Sequence, residues 1–373
     1  MTRLGDVCEY RNESIAAEAA TSMPLYISTD SMMPNRGPIF SSTLPNTGKV
    51  KRFQAGDTLV SNIRPYFKKI WRADAEGACS NDVLVFTPTK CLPDYLHWIL
   101  SSDDFFSFVT KTSKGTKMPR GDKRAIMNYS VQVPSETEQH TICAIMDSLQ
   151  KKITINGQLN DYLANLCETI ASRYCNDRNS RLRDICYQVA DHVDYDNANQ
   201  ETYVSTESLM QNKGGRQLAS SLPTTGKITR YKAGDTLISN IRPYFKKIWY
   251  APFEGTCSGD VIVFRANDPS NAPYLHACLR QDSFFDYVMQ GAKGTKMPRG
   301  DKKQMMEFKV ASSCSAEDLI LLDSVIKQRS DNDSEITKLQ KLRDTLLPKL
   351  MSGEIDVSKI DLTQLTNNHL AAC

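Results

Sequence analysis

Apolar residues in the first 134 positions fall into short runs, such as Thr58–Ser61, Lys69–Trp71 and Asp82–Phe86, and these predict strands. Glycine and proline signals at Arg36–Pro38, Pro45–Gly48 and Gly56–Asp57 separate them as turns. Pro93–Val109 carries its apolar residues at helical spacing, with a break at Ser101–Asp103, and predicts one or two helices. A glycine-containing loop, Lys114–Lys123, leads into YSVQVP, a predicted strand closed by Pro134. From Ser135 the pattern changes. Proline disappears until about Asn176, and Ser135 with Glu138 forms a capping box. Ile142, Met146, Leu149, Ile153, Asn156, Leu159, Leu163, Leu166 and Ile170 then recur at steps of three and four. That stripe predicts a coiled-coil helix, with Asn156 as the lone polar seam residue that fixes register. About 40 residues at ~1.5 Å each make a rod of roughly 60 Å, which needs a partner helix.

The whole pattern then repeats. Residues 55–71 read AGDTLVSNIRPYFKKIW and residues 233–249 read AGDTLISNIRPYFKKIW, differing only at Val60 and Ile238. The block KGTKMPRGDK occupies 114–123 and, unchanged, 293–302. LRDIC stands where the first copy has LGDVC, and FKVASS where it has YSVQVP. A second helix is predicted from about Ala316 to Leu347, with Leu319, Leu322, Ile326, Ile336, Leu339, Leu342 and Leu346 as its stripe. The polar run Lys327–Glu335 predicts a stutter or bend, Pro348 comes near the helix end, and Gly353 punctuates the exit. The division expected is a first unit over 1–134, a helix over 135–178, a second unit over 179–314, a helix over 315–353 and a tail over 354–373. The fold class is α+β: two similar mixed units joined by two long helices. Each helix needs a partner, so the two are expected to pair antiparallel within the chain and to relate the units by a pseudo-twofold axis.

Composition narrows the function. With 373 residues and a net charge of +3, total charge says little, and the local blocks say more. The eleven cysteines show no CxxC pair and no zinc spacing. Cys8/Cys186 and Cys79/Cys257 recur in apolar settings and read as small buried hydrophobes in a reducing compartment. With no apolar run of membrane length and no signal-peptide pattern, a soluble cytoplasmic protein is expected. Sequence motifs for nucleotide binding, zinc hydrolysis, serine hydrolysis and amino-methyl transfer are absent, so no catalytic or metal-binding residue is expected. His97 and His276 read as structural, Asp82 and Asp260 as turn residues, and Phe105, Phe106, Phe284 and Phe285 as core.

Identity between the copies is selective. Ser14–Asn35 and Asp191–Lys213 share little beyond YIST and YVST, while Asn62, Arg64, Lys68, Lys117 and Arg120 match their counterparts. A core is kept by any apolar residues of similar volume, so matching polar residues point to a surface in use. Two inverted basic surfaces suit double-stranded DNA, whose backbone is twofold symmetric. Arg64, Lys68 and Lys69 are placed on phosphates, Asn62 and Arg64 on base edges, and Tyr66 on a base or phosphate. The glycine loop adds Lys114, Thr116, Lys117, Arg120 and Lys123. The second copy contributes Asn240, Arg242, Tyr244, Lys246, Lys247, Lys293, Thr295, Lys296, Arg299 and Lys302 in the same roles. The plainer reading of this block is a hairpin with a solvated basic face over Tyr66, Phe67 and Trp71 as core, and for Phe67 and Trp71 it is preferred.

At the joints the chain resembles a known family. Val133–Ala171 is similar to the proximal spacer of the specificity (S) subunit of type I restriction–modification systems, where an EQ pair opens a long helix. Lys341–Val357 resembles that family's C-terminal spacer, with LLPKLMSGEI its most recognisable run. LGDVC and GDTLVSNIRP resemble the start and middle of a target-recognition domain. PSETEQ lacks the second proline usual before EQ. The resemblance implies two target-recognition domains, each reading half of a bipartite sequence, with the helices setting the gap. It implies no catalysis and no cofactor in this chain. Methylation with S-adenosylmethionine would belong to two modification subunits docked on the helices, and ATP- and Mg-dependent cleavage to restriction subunits. Members usually carry unlike domains; two near-copies imply a nearly palindromic target. The alternative is a coiled-coil interaction scaffold or anti-restriction adaptor without base-specific reading, although a DNA mimic would carry acidic blocks where these are basic.

Overall fold

Both copies fold on one plan, in which strands carry the recurring apolar runs and two long helices complete the cores. The computed structural model describes residues 2–174 and 179–358. It divides into two compact units: the residues up to Thr154 with those from Thr337 onward, and Ile155–Ile336. The boundaries expected from sequence put each long helix in a segment of its own; in the structure each helix gives one half to each unit.

In the first unit, β1 (Thr2–Arg3), β2 (Cys8–Tyr10), β3 (Ser14–Ala16), β4 (Tyr26–Ile27), β5 (Lys49–Phe53), β6 (Thr58–Ser61), β7 (Ile70–Arg72), β8 (Gly77–Cys79) and β9 (Val83–Pro88) precede α1 (Pro93–Ser101), α2 (Asp103–Lys111), α3 (Lys123–Met127) and β10 (Ser130–Val131). One sheet runs β2-β9-β6-β7, a second β3-β5-β8-β4, and β1 pairs with β10. YSVQVP thus yields only a two-residue strand. The core packs Phe86, Tyr95, Trp98, Phe105 and Phe106 between sheet and helices, and Ile142, Met146, Leu347, Leu350 and Val357 close it.

The long helix α4 (Glu136–Arg173) starts on the expected capping box: the Ser135 N–H donates to Glu138 at 2.9 Å. Gln139 anchors it, accepting from the Leu92 N–H at 3.0 Å and donating to the Pro134 carbonyl at 2.9 Å. Residues 175–178 of the expected helix lie outside the described residues, as does the tail beyond Ser358.

The second unit repeats the order with β11 (Ser180–Arg181), α5 (Leu182–Ile185), β12 (Cys186–Gln188), β13 (His192–Asp194), β14 (Lys227–Tyr231), β15 (Thr236–Ser239), β16 (Ile248–Tyr250), β17 (Gly255–Cys257), β18 (Val261–Ala266), α6 (Ala272–Arg280), α7 (Asp282–Gln290), α8 (Lys302–Met305), β19 (Lys309–Val310) and α9 (Ala316–Met351). Its sheets run β12-β18-β15-β16 and β13-β14-β17, and β11 pairs with β19. Cys167, Ile170 and Ala171 from the end of α4 share a core with Leu322, Val325 and Ile326 near the start of α9. In the first unit the start of α4 meets the end of α9. The pairing is therefore antiparallel.

Three seam expectations need correction. Lys327–Glu335 is helical throughout, within α9 and without a break. Leu159 and Leu342 are exposed, and the seam passes to their neighbours Asn160 and Arg343, which are buried. Asn156 is not a lone polar residue. It donates to Glu335 at 2.7 Å, Asn160 donates to Asp333 at 2.7 Å, and Asn332 donates to Asn160 at 2.8 Å. Buried amides tolerate only partners that satisfy them, so a cluster of this kind fixes one register more firmly than a single asparagine.

The buried cysteines behave as expected. Burial pushes the thiols of Cys8, Cys79, Cys186 and Cys257 up to about 12. The His97 imidazole falls to about 3, and His276, fully enclosed, is held well below its ordinary value; both are driven first by burial. Among the described residues no helix is long and apolar enough to cross a membrane, and no cluster of His, Cys, Asp or Glu has the arrangement of a metal site.

Candidate nucleic-acid interface

Within each unit the two repeated blocks meet in space. Between β6 and β7, Pro65–Phe67 make one tight turn bracketed by Arg64 and Lys68, both in the left-handed region at φ 50°. Arg242 and Lys246 do the same in the second unit at 51° and 50°. Such a conformation costs a residue with a Cβ roughly 1–2 kcal/mol, so neighbouring structure must hold it. The Arg64 N–H donates to the Pro119 carbonyl of the glycine loop at 2.8 Å, and that of Arg242 to Pro298 at 2.8 Å. Strain kept in both copies is the mark of a site whose shape matters.

A third loop, which the sequence comparison passed over as drifted, completes the surface. Asn35 and Arg36 donate from their backbone to the Phe67 and Lys68 carbonyls at 2.8 and 2.9 Å; Asn212 and Lys213 do so to Phe245 and Lys246 at 2.8 Å each. All four are left-handed as well. The signal in the sequence was the pair SMMPNRG and SLMQNKG, Ser31–Gly37 and Ser208–Gly214, whose asparagines suit that conformation.

The glycine loop is a short bridged hairpin. Lys114 and Arg120 exchange both backbone hydrogen bonds at 2.9 Å, and Gly115 turns the chain at φ +95°. Its tip exposes Thr116, Lys117 and Met118, and Met118 is 47% exposed with Met297 at 51%. Where it returns, Gly121 passes over Asn62: a Cβ there would sit 2.8 Å from Val109 and 2.9 Å from the Asn62 Oδ1. Gly121→Ala and Gly300→Ala are therefore expected to lift the loop. Each should cost about 1–3 kcal/mol by overpacking and weaken DNA binding, measured by thermal unfolding beside a mobility-shift titration.

A family profile described as the type I restriction modification DNA specificity domain matches residues 1–165, the span that holds the first three-loop surface. The second unit repeats its strands, turns and loops. Residues 1–165 thus carry the likeness to a type I restriction modification DNA specificity domain. The chain is 20% identical over 325 residues to the type I restriction enzyme EcoDI specificity subunit of Escherichia coli, covering 73% of this chain and 72% of that one. It is 27% identical over 135 residues to the HindI specificity subunit of Haemophilus influenzae, covering 34% and 29%. The S subunit of the type I system from M. genitalium has the same fold, with a TM-score of 0.51, 14% identity and coverage of 94% and 95%.

The residues expected to touch DNA separate into three groups. Asn62 and Asn240, expected to read base edges, are buried at 8% and 7% exposure, with Oδ1 enclosed and turned toward the glycine of the returning loop. They shape the surface from behind. Lys69 and Lys247, expected on phosphates, are half-buried, and burial lowers their pKa. Their Nζ donates to the carbonyls of Thr29 at 2.7 Å and Thr206 at 2.6 Å, tying β7 and β16 to the third loop.

A second group is paired, with Lys68 and Lys246 half-buried and the others exposed. Lys68 and Lys246 meet Asp103 and Asp282 at 2.8 Å. Arg120 and Arg299 meet Asp82 and Asp260 at 3.1 Å, so those aspartates hold a cation as well as a turn. Lys114 pairs with Asp122 at 2.6 Å and Lys293 with Asp301 at 3.4 Å. Exposed pairs of this kind contribute about 0–1 kcal/mol, so each opens at little cost. Lys123 and Lys302 open α3 and α8, with exposed side chains.

In the third group Lys117 and Lys296 are exposed and Arg64 and Arg242 half-buried. Lys117, Lys296, Arg64 and Arg242 make no ion pair among the described residues, and the Nε atoms of both arginines are enclosed without a partner. Thr116 and Thr295 are exposed beside them, and Tyr66 and Tyr244 are 48% and 46% exposed. Phe67, expected in the core, stands at 36% exposure against Tyr66, and Trp71 is half-buried. Tyr66 with Phe67 and Tyr244 with Phe245 form tilted ring pairs at 4.8 and 4.6 Å; both rings of the first pair are exposed, and in the second Phe245 is half-buried.

Proposed function

We propose that the chain is a type I restriction–modification specificity subunit, in which each three-loop surface reads one half of a bipartite DNA target and the two halves are nearly the same sequence in opposite orientation. The observation that carries this is the duplication of the whole surface: the same strained turn, bridged loop and outward side chains occur twice. Arg64 and Arg242 suit guanine edges, with their forks of donors. Lys117, Lys296, Lys68, Lys246, Lys114, Lys293, Arg120 and Arg299 suit phosphates, with Lys123 and Lys302 at the margin. Thr116 and Thr295 supply short hydroxyls, and Tyr66 and Tyr244 a ring for a base or a hydroxyl for a phosphate. The antiparallel helices set the unspecified gap.

Chemistry belongs to partners in this reading. Two modification subunits on the helices carry S-adenosylmethionine-dependent adenine methylation, and restriction subunits, where present, carry ATP- and Mg-dependent cleavage, all in the cytoplasm. Co-expression with the modification subunit in a methylation-free host, followed by a genome-wide map of methylated adenine, tests it. The expected result is a bipartite motif with matching, inverted half-sites. Unlike half-sites would remove the symmetry, and a fully assembled complex that methylates nothing would remove the function.

A further inference from the structure

Behind each recognition surface lies a cluster of charges that contact with DNA does not require. Its centre is the cation of the third loop, Arg36 or Lys213, whose side chain is only 9% or 11% exposed. In the first unit Arg36 pairs with Asp103, donates from Nε to the Ser101 carbonyl at 2.6 Å, and faces Asp344 of α9 at 3.9 Å. Asp103 also holds Lys68 of the strained turn, and buried Arg343 pairs with Asp344 at 2.9 Å. In the second unit Lys213 pairs with Asp282 and with Glu168 of α4, both at 2.9 Å. Asp282 holds Lys246, and buried Arg280 reaches Glu168 at 3.4 Å.

The two clusters keep one composition while exchanging members. Leu342–Leu347 reads LRDTLL and Leu166–Ala171 reads LCETIA, so Asp344 corresponds to Glu168 and Arg343 to Cys167. Leu100–Asp103 reads LSSD and Leu279–Asp282 reads LRQD, so Ser101 corresponds to Arg280. Where the spacer helix carries arginine, the α1–α2 turn carries serine; where the helix carries cysteine, the turn carries arginine. Each cluster retains three cations and two carboxylates. A solvated surface has no reason to preserve that balance. The enclosed cations of the cluster do: Arg36, Arg343, Lys213 and Arg280 are largely buried, while Asp103 and Asp282 are more than half exposed, and an unpaired buried charge is costly.

We propose that Arg36 and Lys213 are positioning residues that staple each recognition surface to the spacer helix within its own unit. Each links the helix carboxylate to the aspartate that holds the strained turn, and so fixes where along the helix the surface meets DNA. This rests on the DNA-reading role proposed above. Without the staple the surface keeps its side chains but gains play, and the gap between half-sites is measured less strictly.

The test uses the complex with modification subunits and three DNA targets: the mapped motif, and the same half-sites with the gap one base pair shorter or longer. The double variant Arg36→Met/Lys213→Met is expected to lose at least tenfold in discrimination between the native and altered gaps while reading the same half-site bases. Arg36→Lys and Lys213→Arg are expected to preserve discrimination, since each copy already uses the other's residue. Should the methionine variant fail to fold, Asp344→Asn/Glu168→Gln removes the helix end of the staple and is expected to relax the gap in the same sense. Wild-type discrimination in a folded methionine variant, or in the Asp344→Asn/Glu168→Gln pair, would overturn the staple while leaving the reading role intact. A wild-type complex with no bipartite motif would overturn the reading role and the staple with it.

Discussion

Replacing Asp235 by asparagine is expected to destabilise the second unit by about 3 kcal/mol, the lower end of what breaking a buried ion pair costs. The Asp235 side chain is 1% exposed, accepts both arms of the Arg265 fork at 2.7 Å, and takes the Lys232 N–H at 2.7 Å. An amide keeps the shape, loses the charge and leaves Arg265 without its counter-ion. Arg265 is a quarter exposed, so water recovers part of the loss. Asp57 plays the same part for Arg11, the Thr87 hydroxyl and the Gln54 N–H, and Asp57→Asn should behave alike. Urea unfolding followed by circular dichroism would show a lower midpoint with an unchanged slope. Asp235→Asn combined with Arg265→Met should recover most of the loss, because no charge is then stranded.

Inserting seven residues in each long helix, after Thr154 and after Ile336, is expected to move the methylated motif to a gap about 3 bp longer and to abolish modification of the original. Seven residues add about 10.5 Å of helix, and B-DNA rises roughly 3.4 Å per base pair. A heptad nearly preserves the phase of the seam, drifting by only ~20°, so the apolar contacts re-form on either side. Both insertion sites lie beyond the Asn156–Glu335 end of the polar cluster, which therefore stays intact. An unchanged gap in the inserted protein, measured by the same methylation map, would show that the helices are not the ruler.

The fold was largely legible because its signals are periodic. Strand-length apolar runs, the capping box at Ser135 and the three- and four-residue stripe each follow from local geometry, and the repeat supplied an internal check. The site was legible only in part, because identity between copies has two causes. Asp57, Asn62 and Lys69 match their counterparts for reasons of folding: one holds an arginine and a turn, one backs a glycine, one bonds a carbonyl. Lys117, Thr116 and Tyr66 match while facing solvent. A sequence shows that both sets are invariant between copies and gives no means of telling the enclosed from the exposed. The third loop was missed for the opposite reason. Arg36 and Lys213 differ in identity and agree in charge and conformation, and only placement in space shows them doing one job. Asn160 displaced Leu159 from the seam because helix pairing rewards satisfied amides there.

The first unit borrows its cover from the far end of the chain: Leu347, Leu350 and Val357 pack on Tyr95, Ile142 and Met146. Protein synthesis delivers these pieces in the wrong order for quick completion. Between Thr154 and Thr337 the ribosome must make the other unit, which at ~5–20 residues per second takes on the order of ten to forty seconds. During that interval the first recognition unit has its sheets and its start of α4, with an apolar face still open. A nascent-chain chaperone would therefore meet the earlier-made unit as the unfinished one, and α9 closes a core begun at Leu4.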